Sequence, residues 1–290
     1  MEYKELKYEV SEGILTLTLN NPDKMNSITA STCTELLDAF ERADNDDDVR
    51  VVIVTGSGRA FSAGAALGGG EEAKGSYFME RFMGREDDQP HRDEGGIVVL
   101  RIYDMKKPII AAINGPAVGF GITMTFPMDI RIASTSAKMG LVFCRRGIVF
   151  DGCASWFLTR LVNMGVATDW VYSGRVFSAK EAFEKGLVSE LLEPEALLPR
   201  AREIAAGIAN NSSPISVAFC RQLMWKMLGA DHPMEAHQVE SKALNWIFGV
   251  PDAKEGIMSF LEKRKPAFPM KPSKDMPAFY PWWKDRPFKY

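Results

Sequence analysis

Two glycine-rich turns in the first half of the chain could supply backbone N–H groups for catalysis. The first turn follows the apolar run 49–54 and contains Gly56, and the second follows the apolar run 108–113 and contains Gly119. Ligands of parallel α/β sheets bind where the carboxyl ends of the strands meet. One N–H group from each turn could therefore point at the same oxygen atom and form an oxyanion hole, which stabilises charge developing on a carbonyl oxygen.

These turns do not match the common nucleotide-binding motifs. The segment 119–121, GFG, starts like GxGxxG but lacks the third glycine, and the segment 56–58, GSG, lacks it as well. The chain also contains no GxxxxGK[ST] sequence. A dinucleotide site or a P-loop is therefore a poor interpretation of either turn.

The elements needed to position these turns are visible in the hydrophobic pattern. Alternating residues predict a half-buried strand at Ile14–Leu19, and β-branched or apolar runs predict buried strands at 49–54, 108–113 and 129–133. Helical spacing predicts helices at 29–43 and 119–126. Strand, glycine turn, helix and strand in this order predict an α/β fold.

The remaining segments divide into a charged loop, a helical half and an aromatic tail. Residues 71–96 are predicted to form a mobile loop or a loose helix, and a short strand is expected at 188–191. Helices are expected to begin at capping boxes at Ser178 and Asp252 and at Ser213-Pro214. The tail 266–290, rich in proline and aromatic residues, is predicted to lie extended on a surface or on a neighbouring subunit.

Composition excludes several classes of protein. The 35 basic and 38 acidic residues leave a net charge of −3, which argues against general nucleic-acid binding. No apolar run approaches a membrane span, and the charged start lacks a signal-peptide core. The four cysteines are widely spaced without a metal-binding pattern, so we expect reduced thiols, no metal site and a cytoplasmic protein.

Five motifs in the right order resemble the crotonase superfamily, the enoyl-CoA hydratases and isomerases. The resemblance covers roughly residues 5–265 and leaves the tail outside. Its first and second signatures are the two glycine-rich turns described above. The motifs are 21–27 (NPDKMNS), 55–65 (TGSGRAFSAGA), 111–121 (AAINGPAVGFG), 173–182 (SGRVFSAKEA, followed by Gly186) and 260–264 (FLEKR).

The resemblance implies a fold, an assembly and a ligand. The implied fold is an α/β spiral of ββα units, with a core at 1–205, a helical trimerisation region at 206–265 and the tail at 266–290. The implied assembly is a homotrimer or a hexamer. The implied ligand is an acyl-CoA thioester, with coenzyme A as part of the substrate and no separate cofactor.

Site residues follow from the resemblance position by position. The N–H groups of Ala65 and Phe120 would form the oxyanion hole. The bent coenzyme A chain would run along 63–67, through Ala63, Ala65, Ala66 and Leu67. Further contacts to coenzyme A are implied for Lys24 and Met25 in the first motif and for Phe260 and Lys263 in the last motif.

The acid/base residues depart from the hydratase pattern. The two glutamates of well-studied hydratases fall at Thr123 and Phe143, neither of which is a carboxylate, and both are expected to line the pocket. The segment 147–155, GIVFDGCAS, resembles the one that carries the single glutamate of peroxisomal-type Δ3,Δ2-enoyl-CoA isomerases. Asp151 takes that position and is the candidate acid/base, although a turn aspartate bonded to its own backbone is the alternative.

Several functions therefore remain open. A single carboxylate favours Δ3,Δ2-enoyl-CoA isomerisation, and hydration of a 2-enoyl-CoA is the first alternative. A hydrolase or dehalogenase with Asp151 as nucleophile is a second candidate in the same family, and a non-catalytic binder of CoA thioesters is a third. Four acidic residues of the charged loop could supply a second carboxylate, namely Asp87, Asp88, Asp93 and Glu94.

Overall fold

A six-stranded, mostly parallel sheet forms the centre of the protein. The computed structural model describes residues 2–66 and 92–289. The sheet has the strand order β1-β2-β3-β4-β6-β9, and only the β1–β2 pair is antiparallel. A small second sheet has the order β5-β7-β8. The strands are β1 Leu6–Ser11, β2 Ile14–Leu19, β3 Val51–Gly56, β4 Ile109–Ile113, β5 Ala117–Val118, β6 Ile130–Ser134, β7 Lys138–Gly140, β8 Val176–Ser178 and β9 Glu190–Leu192.

Helices cover both faces of the sheet and make up most of the second half of the described chain. They are α1 Ala30–Asn45, α2 Glu94–Asp104, α3 Phe120–Thr123, α4 Ala154–Leu161, α5 Met164–Ser173, α6 Ala179–Glu184, α7 Pro194–Asn211, α8 Pro214–Met227, α9 Pro233–Ile247 and α10 Pro251–Leu261. The expected boundary at 205/206 falls inside α7. No helix in the described ranges is both long and apolar enough to cross a bilayer.

Two hydrophobic cores lie on opposite faces of the sheet because its strands are apolar on both faces. The larger core packs the sheet against α1, α2, α4, α5 and α6. The smaller core packs the other face against α7, whose buried face consists of Leu197 and three alanines. This arrangement leaves the carboxyl ends of β3 and β4 at one edge, where the two glycine-rich turns begin.

Several predicted boundaries are wrong for local reasons. β3 begins at Val51 rather than at Val49, because the Val49 and Arg50 amides close the turn out of α1 by bonding to Asp46 and Gly13. Helix 119–126 is only the single turn α3, since the chain beyond it continues in i→i+3 turns. The strand expected at 188–191 is β9, shifted to Glu190–Leu192.

The capping boxes are also only partly confirmed. Ser178 accepts the Glu181 N–H at the start of α6, but the Glu181 carboxylate binds Arg175 and Trp170 instead of returning to the cap. Asp252 lies inside α10 rather than before it, and its carboxylate accepts bonds from Ser213 and from the Met270 amide. Both carboxylates therefore join separate segments of the chain.

The charged loop ends earlier than predicted. Its residues 71–91 lie outside the described ranges, but α2 begins at Glu94 with Asp93 as its N-cap. The Asp93 carboxylate accepts the Gly95 and Gly96 N–H groups, which are among those that a helix leaves unpaired at its start. An aspartate just before the apolar run 97–100 is the sequence signal for this helix.

Candidate active site

One cleft at the edge of the sheet brings together all three predicted catalytic residues. Ala65, Phe120 and Asp151 line it, although they come from three segments of the chain. The cleft also contains residues that the resemblance did not indicate. These additional lining residues are Ile28, Thr29, Cys33, Asp93 and Gly95.

The two turns that carry the expected oxyanion donors are paired with each other. Ser62 bridges Ala117, and the Val118 N–H donates to the Ser62 carbonyl oxygen over 3.0 Å. Gly64 has φ +85°, and a Cβ there would lie 2.4 Å from the Val118 oxygen and 3.5 Å from the Phe120 nitrogen. Only glycine allows this approach, which brings the segment of Ala65 beside the Phe120 amide.

Both amides are available to an external acceptor. Within the described ranges, neither the Ala65 N–H nor the Phe120 N–H donates to another backbone carbonyl. The neighbouring groups are satisfied, because Ile28 donates to Gly64 and Ala66 donates to Ile28. Two unpaired donors at one end of a cleft are the arrangement that binds an oxyanion.

Buried Asn26 fixes the first turn. Its side-chain amide donates to the carbonyl oxygens of Ser57 and Ala60 over 2.9 and 2.8 Å. Its own backbone oxygen accepts the Ser62 hydroxyl over 2.7 Å. These bonds hold the segment leading to Ala65 in place, as preorganised donors require.

Asp151 reaches the cleft from an unusual turn before α4. The two residues that follow it, Gly152 and Cys153, have φ +60° and φ +53°, both in the left-handed region. Asp151 Oδ1 accepts the Thr123 hydroxyl over 2.7 Å. The turn and this bond fix the carboxyl group, so the predicted acid/base does lie beside the predicted oxyanion donors.

The environment of Asp151 raises its pKa from 3.8 to about 7. Burial is the main cause, because removal from water disfavours the charged carboxylate. The hydrogen bond from Thr123 acts in the opposite direction, and the charge of Asp93 raises the pKa further. A carboxyl group with this pKa can both accept and donate a proton near neutral pH.

Thr123 and Phe143 are both buried, as pocket-lining residues should be. Thr123 contacts the acid/base directly through the bond described above. The Phe143 ring lies near the second turn, and a Cβ on Gly119 would lie 3.9 Å from its Cζ atom. Neither residue is among those that line the cleft, so their role as pocket-lining residues stays a prediction.

Asp93 is the second carboxylate of the cleft. It is one of the four acidic residues that the sequence suggested as the source of a second carboxylate. Besides capping α2, it accepts the Gly152 N–H over 2.9 Å. Asp87 and Asp88 lie outside the described residues, and Glu94 is the first residue of α2.

Cys33 is a further member of the cleft, where burial raises the pKa of its thiol to about 12 and keeps it neutral.

The expected coenzyme A path begins beside the first turn. Pro22–Lys24 forms a single 3-10 turn, and the Ala63 N–H donates to the Met25 carbonyl oxygen over 2.9 Å. Lys24 and Ala63 are exposed, and Ala66 is half-buried. Leu67 lies outside the described residues. Lys24, Met25, Ala63 and Ala66 therefore form a connected surface next to the cleft.

Phe260 and Lys263 lie at the carboxyl end of α10 and are exposed. Phe260 is 81% exposed. Neither residue lines the cleft, and their role stays a prediction. Within residues 2–66 and 92–289, no three His, Cys, Asp or Glu side chains are grouped so that they could hold a metal ion.

Comparison with known proteins identifies the family. A family model described as enoyl-CoA hydratase/isomerase matches residues 9–271. An enoyl-CoA hydratase of Alternaria alternata is 40% identical over 89% of this chain and 83% of its own length. The (E)-benzylidenesuccinyl-CoA hydratase of Thauera aromatica is 35% identical over 90% of this chain and 97% of its own length.

A solved structure agrees in fold. The enoyl-CoA hydratase of Bacillus anthracis superposes with a TM-score of 0.82 at 30% identity, covering 91% of this chain and 99% of its own. The predicted α/β crotonase-like fold with a helical C-terminal region is thereby confirmed. The particular closeness to isomerases is not confirmed, since these relatives are named hydratases. With its paired turns, its cleft and these matches, the chain belongs to the enoyl-CoA hydratase/isomerase family of the crotonase superfamily.

Proposed function

We propose that this protein moves a proton next to the thioester carbonyl of an enoyl-CoA, with Asp151 as its acid/base. The observation that carries the proposal is the position of a buried carboxyl group, with a pKa of about 7, in the same cleft as Ala65 and Phe120. The two amides bind the thioester oxygen, and the enolate that forms is stabilised there. The relatives' names support hydration as the reaction.

Hydration can be completed by one carboxylate. Ionised Asp151 takes a proton from water while the water oxygen bonds to C3 of the 2-enoyl thioester. The π electrons of the C2–C3 bond move toward the carbonyl, so negative charge develops on the oxygen bound by Ala65 and Phe120. Protonated Asp151 then returns its proton to C2, which yields a 3-hydroxyacyl thioester and restores the carboxylate. Since the same side chain delivers both groups, we expect addition to one face.

Isomerisation is the second candidate. It is favoured because it needs only one carboxylate as acid/base, and Asp151 is the one assigned here. Ionised Asp151 takes a proton from C2 of a 3-enoyl thioester, and the amides hold the resulting enolate. The proton is returned to C4, which leaves a 2-enoyl thioester without consuming water. Asp93 does not act as a second acid/base in this scheme, because three backbone N–H groups already donate to its carboxylate.

Incubation of the purified protein with a 2-enoyl-CoA and a 3-enoyl-CoA, followed by chromatography, distinguishes the two reactions. A 3-hydroxyacyl-CoA product supports hydration, and conversion of the 3-enoyl to the 2-enoyl thioester supports isomerisation. The panel should include crotonyl and aryl-substituted acyl groups, because Phe120 lines the cleft with an aromatic side chain and one relative is named for an aryl substrate. The position of Lys24 and Met25 beside Ala63 makes them our candidates for coenzyme A contacts.

The Asp151→Asn variant tests the assigned residue. We expect turnover to fall at least about 100-fold, while binding of the CoA thioester is retained. Asp48→Asn, at an exposed aspartate outside the cleft, is the matched control and should retain wild-type turnover. Full activity of Asp151→Asn would exclude the assignment. A covalent acyl-enzyme detected by mass spectrometry would favour the nucleophilic alternative, and tight binding without turnover would favour a non-catalytic binder.

We further propose that the protein assembles with copies of itself through its C-terminal helices. Phe248, Phe260 and Leu261 are 71%, 81% and 66% exposed, which is unusual for such large apolar side chains. A trimer would bury them and bring Phe260 and Lys263 near a neighbour. Sedimentation analysis measures the mass of the assembly, and a monomer would contradict the proposal.

A further inference from the structure

Asp93 joins the start of α2 to the turn that carries Asp151. One carboxylate oxygen, Oδ1, accepts the Gly95 N–H over 3.0 Å. The other oxygen, Oδ2, accepts the Gly96 N–H over 2.8 Å and the Gly152 N–H over 2.9 Å. The last bond crosses 59 residues of sequence and ends on the residue directly after Asp151.

The turn that Asp93 holds needs support from outside. Gly152 and Cys153 both have left-handed backbone angles, and for Cys153 this is unfavourable because its Cβ crowds the carbonyl. Cys153 is the N-cap of α4 but accepts no side-chain capping bond. Among the described residues, two hydrogen bonds hold Asp151 and Gly152 from other elements, one from the Thr123 hydroxyl and one to the Asp93 carboxylate.

We propose that Asp93 is a positioning residue, which holds the Gly152 amide and thereby aims the Asp151 carboxyl group at the substrate. The proposal rests on the function assigned to Asp151 above. It assigns two effects to one carboxylate, a mechanical effect through Gly152 and an electrostatic effect through the charge of Asp93 in the same cleft.

The electrostatic effect must be considered with every group that faces Asp151. Thr123 faces it from α3, Cys33 from α1 and Cys153 from the same turn, and Arg92 and Glu94 flank Asp93. The thiol pKa values of Cys33 and Cys153 are raised, so both remain neutral near pH 7. The negative charge of Asp93 raises the pKa of Asp151, so removal of that charge should lower the pKa.

The Asp93→Asn variant tests both effects, since it removes the charge and one of the two acceptor oxygens. Misplacement of a reacting group by about 1 Å can lower the rate ~100-fold, and a smaller displacement lowers it less. We therefore expect kcat to fall about tenfold, with KM changed less than about twofold. We also expect the acid limb of the pH profile to move about 0.5 pH units lower. Asp104→Asn, at the other end of α2 and outside the cleft, is the matched control and should change neither quantity.

A measurement without turnover separates this inference from the proposed function. The carboxyl carbon of Asp151 can be titrated by 13C NMR in the wild type and in Asp93→Asn, with the signal assigned from Asp151→Asn. A midpoint lowered in Asp93→Asn supports the inference even if no enoyl-CoA is converted. An unchanged midpoint together with unchanged kcat overturns it.

A purely structural role would give a different result. It would lower the melting temperature of Asp93→Asn and its activity without moving the midpoint of the Asp151 titration, and this outcome also overturns the inference. If Asp93→Asn does not fold, Asp93→Ser replaces it. Serine still caps α2 but brings neither the charge nor a second oxygen for Gly152.

Discussion

Two opposing influences act on the charge of Asp151, namely its burial and its hydrogen bond with Thr123. Burial disfavours the carboxylate, while the Thr123 hydroxyl stabilises it through a bond of 2.7 Å. The first influence is larger, so the group titrates close to neutral pH instead of near 4. This single property leads to two predictions, one for activity and one for stability.

Activity should rise with pH through the Asp151 titration. Both proposed reactions begin with the ionised carboxylate, which takes the first proton. Below a pH of about 7 the group is increasingly protonated, so kcat/KM should fall about tenfold for each pH unit well below that value. The measurement is the pH dependence of kcat/KM at constant ionic strength. A profile that is flat between pH 5 and 8 would contradict the assignment.

Stability should change in the opposite direction. The folded pKa of Asp151 is above the unfolded value, so the folded state binds more protons between about pH 4 and pH 7. Stability contributed by this group is therefore lost as pH rises through that window. Replacing Asp151 by Asn removes the charge and keeps an acceptor for Thr123. We expect this variant to be more stable than the wild type by about 1–3 kcal/mol at pH 8.

Denaturant titrations of the two proteins at several pH values check this prediction. The difference in the free energy of unfolding should shrink as pH falls from about 7 and vanish about one pH unit below the ordinary pKa of 3.8, where Asp151 is protonated in both folded and unfolded chains. A difference that is independent of pH would mean that the charge of Asp151 is not its cause.

At the scale of elements, the contact between α2 and α3 is tight where the site is formed. The Phe120 ring lies against the backbone of α2, and a Cβ on Gly95 would lie 2.8 Å from Cε2 and 2.9 Å from Cδ2 of that ring. The same ring is 3.5 Å from the Cβ position of Gly152. Glycines at 95 and 152 thus make room for the side chain of Phe120, whose amide is the proposed oxyanion donor.

Gly95→Ala should therefore reduce activity through Phe120. The added methyl group cannot be accommodated unless the ring moves, and the ring is attached to the residue that positions the amide. We expect kcat to fall about tenfold or more, measured with the best substrate found in the panel. Gly207→Ala in α7 is the matched control, because nothing lies within 4 Å of its Cβ position, and it should retain kcat and gain about 1 kcal/mol of stability.

At the scale of the whole molecule, the tail packs on its own chain. Phe219 of α8 is 4% exposed and is surrounded by Trp246 of α9 and by three aromatic residues of the tail, Phe279, Tyr280 and Trp282. Ser273 donates to the Asp47 carboxylate near the end of α1. The described tail therefore packs on its own chain, and whether it also contacts a neighbouring subunit stays a prediction.

Phe219→Ala should destabilise the protein without disabling the site. Loss of a buried aromatic side chain from this cluster should cost about 3 kcal/mol, and Phe219 does not line the cleft. We expect a lower melting temperature and unchanged KM at a temperature where the variant is folded. Met224→Ala, at a position of the same helix that is 68% exposed, is the control and should change stability little. A comparable loss in both variants would argue against the cluster as the cause.

Local patterns were sufficient for the central strands β2, β3, β4 and β6, but they missed β1 and the three short strands of the second sheet. Alternation at Ile14–Leu19 and the apolar runs of β3, β4 and β6 are properties of short segments, so they can be read without knowing what packs against them. Strand ends, the length of α3 and the partners of Glu181 and Asp252 depend on individual hydrogen bonds that a hydrophobic pattern does not encode, and the predictions failed there.

The α/β class, the two glycine-rich turns and the family could be inferred from the amino-acid sequence alone, because each depends on residue types at fixed spacing. The sequence also indicated Asp151, Ala65 and Phe120 as one site. Only the tertiary structure decided that Asp93, and not another acidic residue of its segment, lies in the described cleft and bonds Gly152. The physical reason is that burial, the ionisation of Asp151 and hydrogen bonds over 59 residues arise from chain packing, which no local pattern encodes.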